Sequence, residues 1–270
     1  MRIFHLHLIS LTVSDLGMCA TNFPLMLKAC IDRGWSSGKD ACYVSSIGGA
    51  VFAFSQILML AETAREKYSN ISRSNLIQPK VRFVMFRILL VWIFACILSM
   101  PPIFGFGRIM VDGTMISCTF NYIETDFNNI CYVLFINLFG FVVPMMLAMH
   151  SFYGILRINR ESVSALLELT EDVQQINCFK KRETALAKNL CATIFCFGIA
   201  WTPYAVVALY SLSGQEVSKY VSTGCALFAK ASTCFNCMVY ISRHPELPTR
   251  MIRSLRGSET HHGTISSTKV

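Results

Sequence analysis

A single lysine stands inside a long apolar run near the end of the chain, in the sequence CALFAKASTCFNCMVY at residues 225–240. The nearest other cationic side chains, Lys219 and Arg243, are 11 and 13 residues away from Lys230. With a helical rise of about 1.5 Å per residue, Lys230 lies roughly 16 to 20 Å from either charged end, near the middle of a hydrocarbon layer about 30 Å thick. A charge at this depth costs at least about 2.5 to 3.5 kcal/mol and usually marks a functional site. An amine in apolar surroundings is a nucleophile toward an aldehyde.

The composition indicates a membrane protein. Of the 270 residues, 53% are hydrophobic and 15% are charged, and the mean hydropathy of +0.48 is too high for an ordinary soluble domain of this size. The stretches long enough to span a bilayer number about six, and they cover residues 3–27, 43–64, 84–107, 130–156, 186–212 and 217–241. We therefore predict an all-α protein that crosses the membrane several times.

The basic residues are concentrated around two short loops. They are Arg65, Lys67, Arg73, Lys80, Arg82 and Arg87 around the first loop, and Arg157, Arg160, Lys180, Lys181, Arg182 and Lys188 around the second. By the positive-inside rule both loops are cytoplasmic, and the more acidic loops between them face outward. The net charge of +8 therefore reflects membrane topology and argues against nucleic acid as a partner.

Most of the twelve cysteines lie inside apolar stretches, where cysteine behaves as a small hydrophobic residue. Cys42 and Cys118 are the two that clearly lie at outward-facing positions, where oxidation is expected. We predict that they pair and tie the start of the second stretch to the loop at 108–128. The Cys234-x-x-Cys237 spacing is found in redox and metal sites, but an apolar spanning helix argues against both.

Motifs from about Leu6 to Arg253 resemble, in order and spacing, those of the rhodopsin-like G-protein-coupled receptors, and within them the opsins. They are LISLTVSDL with Asp15, WSSGKDAC ending at Cys42, EKY at 66–68, Trp92 followed by SMPPIFGFGR, Pro144, FGIAWTPYAVVALY, and NCMVY with Asn236 and Tyr240. The resemblance implies a rhodopsin-like seven-helix bundle, with helices two to seven in residues 1–242, in a plasma or photoreceptor membrane. We expect a transcript extended upstream of Met1 to encode the remaining helix, about 20 further apolar residues.

The chain after the last apolar stretch is of a different kind. Basic and apolar residues alternate over 243–255, which predicts a short amphipathic helix lying on membrane lipid. Residues 256–270 are polar and predict a disordered cytoplasmic tail.

The resemblance implies a cofactor and the residues that hold it. Lys230, six residues before Asn236 and flanked by FAKAS, matches the lysine that binds retinal, 11-cis or all-trans, as a Schiff base in opsins. Trp201, two residues before Pro203, matches the aromatic residue that packs against the chromophore. Tyr204 is expected to line the same pocket, and Phe197 to lie one turn below Trp201. Asp15 matches a buried polar position that is linked to sodium in related receptors.

A protonated imine buried at low dielectric needs a negative charge nearby. Ser45 stands where vertebrate visual opsins carry a glutamate, and it cannot supply that charge. Asp112 matches the position at which many nonvertebrate opsins carry a glutamate counterion. The same residues, MVDGTM, also fit a hairpin in which Asp-Gly occupies a type I′ turn for purely local reasons. Both interpretations of Asp112 stay open.

The residues that resemble the G-protein switch depart from the family pattern. Glu66, Lys67 and Tyr68 match an acid-arginine-tyrosine motif, but Lys67 keeps the charge without the planar fork of arginine. The resemblance implies that Lys67 pairs with Glu183 in the resting state. Asn236 and Tyr240 complete the switch, with Cys237 in place of a proline.

Together these matches imply a light-sensing receptor, not an enzyme. Light-driven isomerisation of retinal would admit a heterotrimeric G protein, with arrestin and a receptor kinase as further partners. The loss of the arginine and the proline leaves open an alternative, a retinochrome-like photoisomerase with weak or no signalling. A receptor for a diffusible ligand would require Lys230 to be unmodified.

Overall fold

The computed structural model of the protein describes residues 2–72, 80–165 and 172–243. The α-helices in these ranges are α1 (Arg2–Ile31), α2 (Gly38–Tyr43), α3 (Gly49–Ser72), α4 (Val81–Ser99), α5 (Phe127–Asn137), α6 (Val143–Ala165), α7 (Asp172–Leu212), α8 (Lys219–Lys230) and α9 (Ser232–Arg243). Helix α3 packs against α1, α4, α6 and α7 and is the central helix. This architecture agrees with the predicted all-α bundle.

Four helical segments within the described ranges are long and apolar enough to cross a membrane: Gly38–Ser72, Val81–Ser99, Phe127–Ile158 and Lys188–Leu212. They coincide with four of the six predicted spans, and the first predicted span lies within the 30-residue α1. The stretch at 217–241 differs from its prediction because it forms two helices, α8 and α9, of 12 residues each. The amide of Cys234 donates to the carbonyl of Ala231 at 3.0 Å, a three-residue turn that interrupts the helix directly after Lys230.

Helix α4 ends earlier than the predicted span, which extended to residue 107. Pro101 and Pro102 follow its last turn, and neither has an N–H group with which to continue the ladder. The chain instead forms a short 3₁₀ turn at Pro101–Phe104 and leaves it through Gly105, whose φ of 84° is in the left-handed region.

Two π-helical turns interrupt the bundle helices. The first, Val44–Gly48, joins α2 to α3, and the second, Leu138–Val142, joins α5 to α6. A π turn rotates the side chains that follow it, and such turns are frequent at functional sites. The first turn directs Ser45 and Ser46 into the protein interior, where both are buried.

The strands β1 (Ile109–Val111) and β2 (Cys118–Phe120) form an antiparallel hairpin between α4 and α5, with Ile109 opposite Phe120. The prediction of a hairpin is confirmed, but the prediction that Asp112 and Gly113 form a type I′ turn is wrong. Met115, with φ of 60°, occupies the left-handed region, whereas Gly113 does not. The loop is longer than two residues because the amide of Asp112 donates to the carbonyl of Ser117 at 2.8 Å.

A hydrophobic cluster connects the central helix to α6 and α7. Its buried members are Ile57, Leu60, Ala61, Ala64, Ala148, Ile194 and Phe197, and Trp201 packs against its edge. The predicted surface helix at 243–255 and the tail at 256–270 lie outside the described residues, apart from Arg243 at the end of α9.

Candidate functional site

An apolar cavity lies among α1, α3, α5, α7, α8, the two π turns and the hairpin. Its empty space, including the open mouth, is about 730 Å³. Its aromatic lining consists of Phe54, Phe120, Phe141, Trp201 and Tyr204. Such a lining suits a long apolar ligand.

Lys230 lines this cavity as the last residue of α8. Its Nζ atom is buried and has no hydrogen-bond partner among the described residues. Burying an amine without a partner is unfavourable, so the site is built for a reaction or a ligand rather than for stability. The sequence prediction that this lysine is isolated among apolar residues agrees with its position in the structure.

An aromatic column on α7 borders the cavity. The rings of Phe197 and Trp201 are stacked with centroids 5.5 Å apart, and Trp201 and Tyr204 meet edge to face at 6.1 Å. The indole Nε1 of Trp201 donates to Ser232 Oγ at 2.9 Å. Because Ser232 begins α9 just after Lys230, this hydrogen bond joins α7 to the interruption between α8 and α9. The sequence predicted the ring pair but not the role of Ser232.

Tyr204 connects α7 to the hairpin. Its hydroxyl forms a hydrogen bond of 2.6 Å with Thr119 Oγ1 on β2. Its ring meets that of Tyr122 edge to face, with centroids 6.1 Å apart. The structure therefore places Tyr204 at the cavity, as the sequence predicted, and fixes it to the loop that covers the cavity.

The carboxylate of Asp112 is buried in the hairpin loop and accepts four hydrogen bonds. Its Oδ1 accepts from Thr114 N at 3.1 Å, Thr114 Oγ1 at 3.0 Å and Ile116 N at 3.2 Å, and its Oδ2 accepts from Ser117 Oγ at 2.9 Å. These bonds give Asp112 the predicted structural role in the turn. No described hydrogen bond joins it to Lys230.

The cavity lining also contains two uncharged polar residues that the sequence did not identify, Asn22 and Ser46, next to Ser45. Ser45 Oγ donates to Asn22 Oδ1 at 3.3 Å, and Asn22 is fully buried. The neighbouring Ser46 Oγ is buried without a described hydrogen-bond partner. Because polar residues in the middle of a spanning helix are costly, Asn22 could have been noticed from its position in the apolar first stretch.

Asp15 lies at a junction of three helices. Its Oδ1 accepts hydrogen bonds from Gln56 Nε2 on α3 at 2.7 Å and from Asn236 Nδ2 on α9 at 2.8 Å. The structure thus brings together Asp15, which the sequence had assigned to a sodium-linked position, and Asn236, which it had assigned to the switch, and adds Gln56. These two hydrogen bonds from amide groups connect α1 to α3 and α9 through Asp15. The binding of sodium at Asp15 stays a prediction.

The cytoplasmic end of α3 carries an ion-pair cluster. Arg87 on α4 contacts Glu62 Oε1 at 2.8 Å and Glu66 Oε2 at 2.7 Å, and His7 Nε2 lies 3.8 Å from Glu66 Oε2. The ligand atoms of these two acids and His7 are close enough to hold a metal ion, but two arginines already pair with the carboxylates, because Arg65 Nε lies 2.8 Å from Glu62 Oε2. The sequence missed Arg87 because the pairing depends on how α3 and α4 face each other.

The other predicted switch residues are placed only in part. Lys67 is buried, and the ring of Tyr68 meets that of His150 edge to face at 6.2 Å. Glu183 lies on α7 and Tyr240 on α9, but their side chains are outside the described part of the structure. The pairing of Lys67 with Glu183 therefore stays a prediction.

The predicted disulfide is confirmed: Cys42 on α2 and Cys118 on β2 are bonded, with Cα atoms 5.4 Å apart. We expect Cys42→Ser and Cys118→Ser each to reduce the yield of folded protein sharply, because loss of a native bridge typically costs about 2 to 5 kcal/mol. Surface expression and thermal unfolding measure this loss. Cys30→Ser is the matched control, since Cys30 is an exposed free cysteine. Free thiols at both Cys42 and Cys118 in non-reducing mass mapping would contradict the bridge.

The chain is similar to proteins named as visual pigments. Opsin Rh1 of Calliphora vicina is 29% identical over 250 residues, which cover 90% of this chain and 67% of that protein. Rhodopsin of Enteroctopus dofleini is 29% identical over 252 residues, covering 90% and 55%, and the GQ-coupled rhodopsin of Mizuhopecten yessoensis is 30% identical over 253 residues, covering 90% and 50%. The chain thus spans between half and two thirds of the length of these relatives.

The fold comparison agrees with the sequence comparison. The crystal structure of squid rhodopsin superposes with a TM-score of 0.85 and 25% sequence identity, covering 98% of this chain and 81% of that one. The protein is accordingly a multi-pass membrane protein, and its relatives are receptors rather than enzymes, as predicted. The model of the seven-transmembrane receptors of the rhodopsin family matches residues 2–240, so the chain belongs to that family.

Proposed function

We propose that this protein is a light-sensing receptor that binds retinal as a Schiff base on Lys230. The observation that carries the proposal is the buried amine of Lys230, without a described hydrogen-bond partner, in a cavity whose exposed lining is mainly apolar. Opsins and rhodopsins among the relatives support it by their names. Retinal, as 11-cis or all-trans isomer, would supply light absorption and a change of shape on isomerisation.

The lining residues suit this ligand. The walls around the amine are mainly apolar, and Trp201 and Tyr204 line the cavity as aromatic packing surfaces. The Schiff base forms when the lysine nitrogen bonds to the aldehyde carbon and water leaves. Ser45 is engaged by Asn22 and brings no charge, so a charge that balances the protonated nitrogen must come from elsewhere.

We assign that charge to Asp112. Four hydrogen-bond donors face its carboxylate, which is the environment of a negative group. Asp112 makes no described hydrogen bond to Lys230, so any contact between the carboxylate and the Schiff base would run through a water molecule. The turn and the counterion roles are compatible, because the hydrogen bonds of the turn also hold the carboxylate in place.

The path from the cavity to the cytoplasm runs along α7. Trp201 links the cavity to Ser232, and Pro203 interrupts the helical ladder of α7 two residues later. Helix α7 extends from Leu212 back to Asp172, beyond the apolar segment that begins at Lys188. A change in the packing of Trp201 therefore shifts the cytoplasmic part of α7, where a heterotrimeric G protein and then a receptor kinase and arrestin would bind.

A nucleotide-exchange assay tests whether the protein signals. We expect the full chain, reconstituted with 11-cis retinal in lipid, to accelerate GTP uptake by a heterotrimeric G protein in light and not in darkness. A Gq protein is the first to test, since one relative is named as GQ-coupled. Retinal extracted before and after illumination from the same sample reports isomerisation. Isomerisation with nucleotide exchange at the dark level would contradict a receptor and indicate a photoisomerase.

A further inference from the structure

The hairpin β1–β2, with its loop at 112–117 and Tyr122 just after β2, lines the cavity. We call this segment the covering loop, and two neighbouring pairs of hydroxyl groups join it to α8. Thr114 Oγ1 lies 3.0 Å from Thr223 Oγ1, and the hydroxyl of Tyr122 bonds to Ser222 Oγ. Both α8 residues are buried. The two contacts are alike in chemistry and adjacent in sequence, but they lead to different parts of the loop.

Only the contact of Thr223 continues to the carboxylate of Asp112. Thr114 Oγ1 lies 3.0 Å from Thr223 Oγ1 and also 3.0 Å from Asp112 Oδ1. A hydroxyl has one hydrogen to donate, and a carboxylate can only accept. Thr114 therefore donates to Asp112, and Thr223 donates to Thr114, which gives a directed chain of two hydrogen bonds.

The same helix carries Lys230. Thr223 precedes it by seven residues, close to two turns of an α-helix, so both lie on one face of α8 about 10 Å apart along the axis. Loop and helix also meet tightly at Gly113, where a Cβ atom would lie 2.7 Å from Lys219 Cβ. Helix α8 thus holds both the amine and the hydroxyl that ends the chain to Asp112.

We propose that Thr223 is a positioning residue that fixes the Asp112 carboxylate relative to Lys230 through Thr114. The inference rests on the proposed function, in which Asp112 is the counterion of the Schiff base. Loss of the Thr223 hydroxyl removes one of the two hydrogen bonds that hold the Thr114 side chain. The carboxylate of Asp112 is then less firmly positioned and stabilises the positive charge of the protonated Schiff base less.

Other titratable groups near the loop are few in the described part of the chain. They are Tyr122 and Lys219 at the loop, Cys225 on α8 near Tyr122, Tyr204 facing Tyr122 from α7, the exposed ion pair of Arg108 with Glu124, and Lys39 and Asp40, which are exposed on α2. Burial raises the pKa of Tyr122, and the charge of Asp112 raises it further. Tyr122 is therefore uncharged at neutral pH.

A pH titration of the reconstituted full-length pigment tests the inference. The protonated imine absorbs in the visible, and the pH at which half of this absorbance is lost is the apparent pKa of the imine. A nearby negative charge raises this pKa. We expect Thr223→Val, which removes the hydroxyl and keeps the shape, to lower this midpoint by about one pH unit. Thr223→Ser restores the wild-type midpoint. Ser222→Ala, the matched control, removes the parallel contact and leaves the midpoint unchanged.

The outcomes separate the two proposals. A Thr223→Val pigment with the wild-type midpoint, or a Ser222→Ala pigment with an equal shift, overturns the positioning role while the retinal site stands. If Thr223→Val gives no pigment, Thr223→Ala removes the same hydroxyl with a smaller side chain and decides in its place. Absence of any visible pigment in the wild type overturns both the positioning role and the proposed function.

Discussion

We expect Lys230→Ala to abolish the visible pigment entirely. The substitution removes the amine that lines the cavity, and no other group on this wall can form an imine with an aldehyde. Lys230→Arg should fail as well, because a guanidinium stays protonated and is a poor nucleophile. Absorbance spectra after incubation with 11-cis and all-trans retinal measure the loss.

Lys219→Ala is the matched control for this experiment. Lys219 begins the same helix, is exposed, and lies 11 residues before Lys230. The control should form pigment at the wild-type level. Surface expression of each variant establishes that the chain has folded, and a visible pigment in Lys230→Ala would refute the assignment.

The second large effect is expected for Asp112→Asn. Removing the negative charge should lower the midpoint of the visible absorbance by about 1 to 3 pH units, the usual effect of one nearby opposite charge. At neutral pH the absorbance then moves from the visible toward the near ultraviolet, because the imine has lost its proton. A pH titration of the spectrum measures the change.

Two variants sharpen the test of Asp112. Asp112→Glu keeps the charge and should keep a visible band at neutral pH. Asp40→Asn removes an exposed acid on α2 and should leave the titration unchanged. A spectrum and midpoint of Asp112→Asn identical to the wild type would leave Asp112 as a turn residue only.

The sequence was informative wherever a single residue is unusual in its surroundings. Lys230 stands out because no other charged residue lies near it along the chain. Cys42 and Cys118 stand out because the distribution of charged residues among the loops places both on the outer, oxidising side of the membrane. The positions of the spans follow from the lengths of the apolar stretches. These features depend on composition along the chain and need no knowledge of how the helices face each other.

The sequence could not predict the contacts that depend on helix rotation. Gln56 reaches Asp15 and Arg87 reaches Glu66 only because α3 has a particular register against its neighbours. The π turn at Val44–Gly48 changes the rotation of α3 relative to α2, and no residue type in it signals the change. The end of the helix at Lys230 was likewise missed, because Ala231 is a good helix former that a tertiary contact of Ser232 overrides.

The hairpin shows how local chemistry can mislead. Asp-Gly is a strong signal for a two-residue turn, yet here the side chain of Asp112 bonds to three residues further along the loop. These bonds favour a wider loop and move the left-handed residue to Met115. The carboxylate is buried as a result, which an exposed tight turn would not have achieved.

Reduction with borohydride tests the central claim most directly. The reagent converts a Schiff base into a stable secondary amine, so retinal stays attached to the residue that bound it, and peptide mapping by mass spectrometry identifies that residue. The account predicts one retinyl group on the wild-type protein, on the peptide that contains Lys230. A retinyl group on another lysine, or retinal that forms a visible pigment without becoming attached, would contradict it.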